Sequence, residues 1–214
     1  MSYDLKKINF NSLKLIENDI AQFKNVELMI VTKNRDIDII KSLIKNNYRI
    51  FGENKVQEAK EKYESLEQIN DLKLHLIGPL QTNKVKVAVN LFDNIQSIDR
   101  PKLIHEICKY DLNQIKTKNF YIQINIGREK QKSGVLPEQL NDLYDLAIIK
   151  KLNVIGLMCI PPNNDQPEIY FEKMLELKNK LNKSLLLSMG MSDDYRKALS
   201  YSTNMLRIGS KIFN

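Results

Sequence analysis

Cysteine is scarce in this chain. Cys108 and Cys159 are the only two among 214 residues, and no C-x-x-C spacing occurs. Two isolated cysteines supply neither a disulfide framework nor the thiolates of a zinc site. Long apolar runs are also missing. The longest, such as Val154 to Ile160, fall far short of the ~18 residues that a membrane-spanning helix needs. The opening MSYDLKKINF has an early Asp4 and no apolar stretch, which argues against a secretory signal. The expected compartment is therefore the reducing cytoplasm. No linker, low-complexity segment or shift of composition divides the sequence, so residues 1–214 read as one domain.

What is present is an ordinary globular balance, 43% hydrophobic and 28% charged, enough for a sizeable core. The net charge is +7, from 33 Lys and Arg against 26 Asp and Glu. Such a surplus points to an anionic partner. It does not form a basic stripe, because most lysines alternate with acids, as in KVQEAKEKYESLE. Nucleic acid is therefore not the expected partner. No long apolar exposed face is evident either, and a monomer is expected.

Eight short runs rich in Ile, Val and Leu read as strands. They are Leu28 to Val31, Arg49 to Phe51, Leu74 to Ile77, Asn94 to Ile98, Phe120 to Ile126, Val154 to Ile160, Leu185 to Met189, and Met205 to Ile208. Between them lie stretches of helical periodicity. In RDIDIIKSLIKNN the apolar positions Ile37, Ile40, Leu43 and Ile44 share one helix face. Pro101 and Pro137 each stand where a helix can begin without its first N–H. An extra amphipathic stretch, LKKINFNSLKLIENDIAQF, precedes the first strand. Strictly alternating strands and helices imply parallel pairing through right-handed crossovers. Near-continuous apolar strands imply that both sheet faces are covered. The expected fold is an α/β (β/α)8 barrel, a TIM barrel, with an extra N-terminal helix. A doubly wound open sheet is the alternative, but no G-x-G-x-x-G turn follows the first strand.

In a barrel, chemistry gathers where the strands run out. Those positions carry Lys33, Gly52-Glu53-Asn54, the run Gly78 to Lys84, Ser97 and Asp99, and Asn125 with GREKQKSG. The last two carry SMGMSDD (Ser188 to Asp194) and RIGS (Arg207 to Ser210). In SMGMSDD, Ser192 is a suitable N-cap and two aspartates follow it. Gly190 permits a close backbone approach. RIGS leads into SKIFN, read as a short final helix whose N-terminus would favour an anion. Glycine-rich loops after strands seven and eight, beside such a helix, are where barrels commonly grip phosphate. Lys33 projects toward the same rim. Partial burial there would give it the neutral amine that Schiff-base chemistry needs. An aldehyde carrying a phosphate, gripped by glycine-rich turns, describes pyridoxal 5′-phosphate.

The ordered set IVTK, FGENKVQE, LHLIGPLQTNK, SID, QINIGREKQKSG, GLMCI, LSMGMSDD and LRIGSKIF resembles the pyridoxal phosphate homeostasis protein family. The resemblance runs from Glu27 to the C-terminus. It implies a barrel like the N-terminal barrel domain of alanine racemase, with the cofactor held as an imine on Lys33. It implies phosphate contacts from Ser188, Met189 and Gly190 and from Gly209 and Ser210. It places Arg207 near the pyridine nitrogen, and Asn54 and His75 at the pocket. Lys55 stands where the family commonly has an aromatic residue, Pro79 where other residues follow the glycine, and Asn214 where a glycine is common.

The implied function is a carrier and homeostasis role for pyridoxal 5′-phosphate without amino-acid turnover, with apoenzymes that use the cofactor as candidate recipients. The alternative is a racemase-like enzyme. The racemase would require a second, β-rich domain bearing the opposite-face base, which this length does not accommodate. A Schiff-base aldolase is disfavoured because the only strand-end lysine follows strand one. His75 can reach the ligand if it points into the barrel and is a satisfied core histidine otherwise. His105, in IHEICKY, reads as surface.

Overall fold

The computed structural model describes residues 8–64, 66, 69, 71–163 and 166–213. All eight strands form where the apolar runs predict them. They are β1 (Glu27–Val31), β2 (Ile50–Glu53), β3 (Lys73–Leu76), β4 (Asn94–Ile98), β5 (Asn119–Ile124), β6 (Val154–Cys159), β7 (Leu186–Ser188) and β8 (Met205–Ile208). Each pairs in parallel with its neighbour, and β8 closes on β1 through registers such as Met29 with Arg207. The result is the expected closed eight-stranded barrel.

Alternation along each strand sorts residues into two layers. Ile30, Phe51, Leu74 and Ile122 face outward into the main core, which they share with the surrounding helices. Met29, Val31, Ile77 and Met205 form a separate cluster. The interior mixes these apolar residues with polar ones, and it is identified by bonds that cross the barrel. The Ser188 hydroxyl of β7 reaches Gln96 of β4 at 2.7 Å, and Gln96 reaches the Met205 sulfur of β8 at 3.1 Å. At Gly156 a side chain has no room, because a Cβ there would lie 2.4 Å from the Tyr121 ring.

The helices that matter to the site are short and amphipathic. α1 (Phe10–Ile20) starts at Asn9, whose side chain accepts from the Ser12 N–H at 2.9 Å. α2 (Ile37–Lys45) buries Ile40 and Leu43 and carries Asp38 and Lys45 at the ends its dipole favours. α3 (Val56–Tyr63) buries Val56, Ala59 and Tyr63, and its flank presents Glu58 and Lys62. α4 (Val85–Leu91) and α5 (Pro101–Ile107) follow, then α6 (Leu140–Ile149), α7 (Pro167–Leu181) and α8 (Tyr195–Leu199). Pro101 opens α5 as expected, and Pro137 opens a 3-10 turn that leads into α6. His105 is exposed.

The final segment differs from its expected form. Residues 210–213 are not helical; they form a turn closed by Ile212 N–H to the Gly209 carbonyl at 3.1 Å. Phe213 then bridges antiparallel to Ile8, and Asn9 N–H donates to the Ile212 carbonyl at 2.9 Å. Ile212 and Phe213 are buried there. A helix this short lacks the bonds to offset its nucleation, so extended docking on the chain start wins. Asn214 lies outside the described residues.

Packing at Gly156 gives a direct test. Gly156→Ala is expected to cost about 1–3 kcal/mol by overpacking against Tyr121. Gly209→Ala, whose methyl would meet Val31 at 3.4 Å, is expected to cost clearly less. Urea midpoints of the two variants decide it, and equal midpoints contradict the interior packing described above.

Candidate functional site

The strand ends surround a cavity of about 390 Å³, bounded by Lys33, Asn54, Gly78, Arg207, Gly209 and Ser210. Met191, Ser192 and Asp193 line it from the loop after β7, and Gln123, Lys132 and Ser133 from β5 and its loop. Lys33 follows β1 on the inward side of the alternation. It is exposed rather than partly buried, because the residue that turns into the packed outer layer is Thr32, fully buried, one position earlier. Asn54 is half-buried, and Gly78 seats against it: a Cβ at 78 would lie 2.1 Å from the Asn54 carbonyl oxygen. Lys55 is exposed and does not line the cavity.

Arg207 comes from β8 and is 3% exposed. One of its terminal nitrogens donates to Ser188 Oγ at 2.9 Å and the other to the Cys159 carbonyl at 2.6 Å. Among the described residues no carboxylate lies within 4.0 Å of it, and Asp194 acts on it only at longer range. Burial lowers its pKa. A buried cation without a close counter-ion, open to a cavity on one side, favours an acceptor placed in that cavity. Burial also pushes the neighbouring Cys159 thiol up to about 12, so it is inert.

Four residues expected at the ligand lie behind the wall. Ser188 is fully buried; its hydroxyl accepts from Arg207 and donates to Gln96, so it orients the guanidinium. Met189 packs in the main core. Gly190 adopts φ 97° and its carbonyl accepts from Arg207 N–H at 2.9 Å. A Cβ there would meet Ala198 and Leu206 at 2.7 Å, so this glycine serves packing and backbone shape. The cause is strand register: β7 ends at Ser188 inside the barrel, and the chain reaches the cavity only at Met191 to Asp193.

His75 is the fourth. It is 2% exposed, with Nδ1 3.0 Å from Gln96 Nε2 and Nε2 3.1 Å from the Asn94 amide. It does not line the cavity. Gln96 is oriented by the Ser188 hydroxyl, so its NH2 faces Nδ1, which accepts; the neutral imidazole's proton is then on Nε2, where Asn94 bonds only by turning its amide oxygen toward the ring. Burial, with a smaller contribution from Lys73, pushes the His75 pKa down to about 3. It is a satisfied core histidine, the second of the two readings its sequence position allowed.

Ser192 has a different part from the expected helix cap. Asp194 precedes α8, and its carboxylate accepts the Met191 N–H at 2.6 Å. Ser192 Oγ instead accepts two backbone N–H groups, from Gly209 at 3.3 Å and Lys211 at 3.2 Å. Both bonds are long for this type. Two amides converging on one rim oxygen form a small anion-binding concavity. Sequence reasoning missed Ser192 as this partner, and it missed Thr32, Glu58 and Lys62 behind Lys33. The only signal for the latter pair was their spacing of four on the polar flank of α3.

With this geometry the chain is a barrel of the alanine racemase N-terminal domain class, whose family model matches residues 4–214. It is 36% identical over 196 residues to the pyridoxal phosphate homeostasis protein of Aquifex aeolicus, covering 87% of this chain and 86% of that protein. It is 38% identical over 199 residues to the protein of that name from Haemophilus influenzae, covering 88% and 84%. The chain belongs to this family of pyridoxal phosphate homeostasis proteins. Among solved structures, PipY of Synechococcus elongatus PCC7942 with PLP bound superposes with a TM-score of 0.81 at 29% identity, covering 95% of this chain and 99% of that one.

The state of His75 gives a pH test. The unfolded chain protonates this histidine near 6.5, the folded chain only near 3. Between these values the unfolded state binds more protons, so the contribution to stability is complete above pH 6.5 and falls as pH drops toward 3. Going from pH 7 to pH 5 is expected to cost wild type about 2 kcal/mol more than His75→Gln. Urea unfolding at the two pH values measures this, and equal losses contradict a buried neutral imidazole.

Proposed function

We propose that the chain binds pyridoxal 5′-phosphate in the strand-end cavity, attaches it covalently to Lys33, and acts in its homeostasis by holding the cofactor and releasing it to apoenzymes. The observation that carries this reading is the convergence of three unlike features on one cavity. They are a primary amine at Lys33, a buried cation at Arg207, and the paired amides of Gly209 and Lys211. Each suits a different part of the ligand.

The phosphate fits the rim at Gly209 and Ser210. There the amides now served by the Ser192 hydroxyl would meet a stronger, charged acceptor. The pyridine nitrogen fits Arg207, which can donate but never accept, so the nitrogen there is an acceptor without a proton. Asn54 forms the wall between these ends. Ser188, Met189 and Gly190 act one layer below, Ser188 by orienting Arg207 and Gly190 by its carbonyl bond to the same residue. The bound group supplies an aldehyde that condenses with an amine and loses water. Lys33 supplies that amine.

Turnover of amino acids is not part of this function. Arg207 leaves the ring a weak electron sink, so a racemase would depend on an acid–base pair on opposite substrate faces. Among the described residues lining the cavity the titratable groups are Lys33, Lys132, Asp193 and Arg207. Neither histidine nor tyrosine is among them, and His75 is bonded on both ring nitrogens below the wall.

Two measurements test the reading. Borohydride reduction after incubation with pyridoxal 5′-phosphate is expected to fix the cofactor's mass on the peptide containing Lys33, and Lys33→Ala is expected to lose the coloured band. A band that survives in Lys33→Ala with mass on another lysine removes the assignment. Incubation of the loaded protein with L- and D-alanine, followed by chiral chromatography, is expected to show rates far below the ~1 s⁻¹ lower range of working enzymes. Racemisation at that rate or faster replaces the carrier by the racemase-like enzyme.

A further inference from the structure

Lys33 stands second in a four-residue turn, residues 32–35, closed by Arg35 N–H to the Thr32 carbonyl at 3.1 Å. Asn34 takes the left-handed conformation at φ 57°. The two peptide groups that flank Lys33 are therefore those carrying the Thr32 carbonyl and the Asn34 N–H. Both are held by α3. Lys62 Nζ donates to the Thr32 carbonyl at 2.8 Å, and Glu58 Oε1 accepts the Asn34 N–H. Glu58 and Lys62 are themselves an ion pair one helical turn apart.

The φ of Lys33 is set by the first of these peptides and its ψ by the second. A pair that grips both fixes the direction in which the Lys33 side chain leaves the rim, although that side chain is exposed. We propose that Glu58 and Lys62 form a positioning clamp for Lys33, acting on its backbone from outside the barrel wall. The inference rests on the functional reading above for the importance of Lys33, and on α3 alone for the clamp.

The clamp is anchored below. Lys62 Nζ also donates to Glu53 Oε1 at 3.1 Å, and the Thr32 hydroxyl donates to the same oxygen at 2.8 Å. Glu53 is fully buried and its Oε2 has no hydrogen-bond partner. The Thr32 hydroxyl also lies 3.0 Å from the Tyr63 hydroxyl. Lys62 Nζ thus has acceptors in Thr32, Glu53 and Glu58, an arrangement that suits a structural lysine rather than a nucleophile. Surface ion pairs at this spacing ordinarily contribute little. This one is placed on two peptide groups instead of on solvent.

The test separates reach from binding. The probes are pyridoxal 5′-phosphate and its 4-deoxy analogue, which keeps ring and phosphate but has no aldehyde. The variants are Lys62→Met and Glu58→Met. The second leaves the Lys62–Glu53 pair in place and carries the test if the first does not fold. Both are expected to bind the 4-deoxy analogue as wild type does. Both are expected to form the covalent link to Lys33 about tenfold more slowly, because misplacing a reacting group by about an ångström has costs of this size or larger. In the ligand-free protein, amide exchange at Asn34 is expected to accelerate while that at Ile30 stays unchanged. Wild-type attachment rates, or an Asn34 amide as protected as before, overturn the clamp. So does an equal loss for both probes, which signals general loosening. Wild type that gains no mass on Lys33 overturns the functional reading, and the proposal with it.

Discussion

The buried guanidinium of Arg207 is the constraint around which the interior of this barrel is arranged. A charge that is 3% exposed must be compensated where it stands. Two neutral acceptors, Ser188 Oγ and the Cys159 carbonyl, take its terminal N–H groups. Ser188 accepts from Arg207 while its own proton goes to the Gln96 amide oxygen, and the Gln96 amide nitrogen faces His75. The chain of donors from Arg207 to His75 has one consistent polarity, and each link fixes the next. Neutral partners satisfy the hydrogen bonds but not the charge. The cavity side of Arg207 is left as the place where an acceptor is favoured. A carboxylate in place of Ser188 would pair with Arg207 and weaken its field in the cavity.

This arrangement explains why residues matching a ligand-binding motif lie behind the wall. Ser188, Met189 and Gly190 are contiguous with the rim in sequence but one layer below it in space. A motif records which residues must be kept, and a support can be as constrained as a contact. Gly190 is an example. Its φ of 97° and the absence of room for a Cβ demand glycine, whether or not a ligand comes near.

The barrel was legible in the sequence because its signals are local and redundant. Eight apolar runs separated by helical periodicity leave few topologies, and the observed strands differ from those runs mainly by a residue or two at their ends. Lys33, Asn54, Arg207, Gly209 and Ser210 were legible as cavity residues because they follow or end strands, where the fold puts its rim. What was not legible depends on pairing across the barrel or between layers. Nothing in LHLI says that His75 meets Asn94 and Gln96 rather than the cavity. Nothing in SKIFN says that Ile8 will pair with Phe213 and unmake a helix. Nothing in SMGMSDD says that Ser192 will turn toward the amides after β8 instead of capping α8.

The two ends of the site also differ in how firmly they are held, and the difference bears on function. Arg207 is locked in the interior by bonds of 2.9 and 2.6 Å. The amides of Gly209 and Lys211 are held only by long bonds to a serine hydroxyl that can rotate away. Lys33 has its flanking peptides gripped and its side chain exposed at the rim. A ligand settling here would meet a rigid floor and an adjustable rim. For an enzyme an exposed reacting lysine is a disadvantage, since chemistry rewards groups shielded from water. For a carrier the same exposure would be useful, because an amine that reaches solvent can be approached by the group that takes the cargo away. On the function proposed above, a held backbone with an exposed side chain would keep attachment specific to one lysine and leave release open.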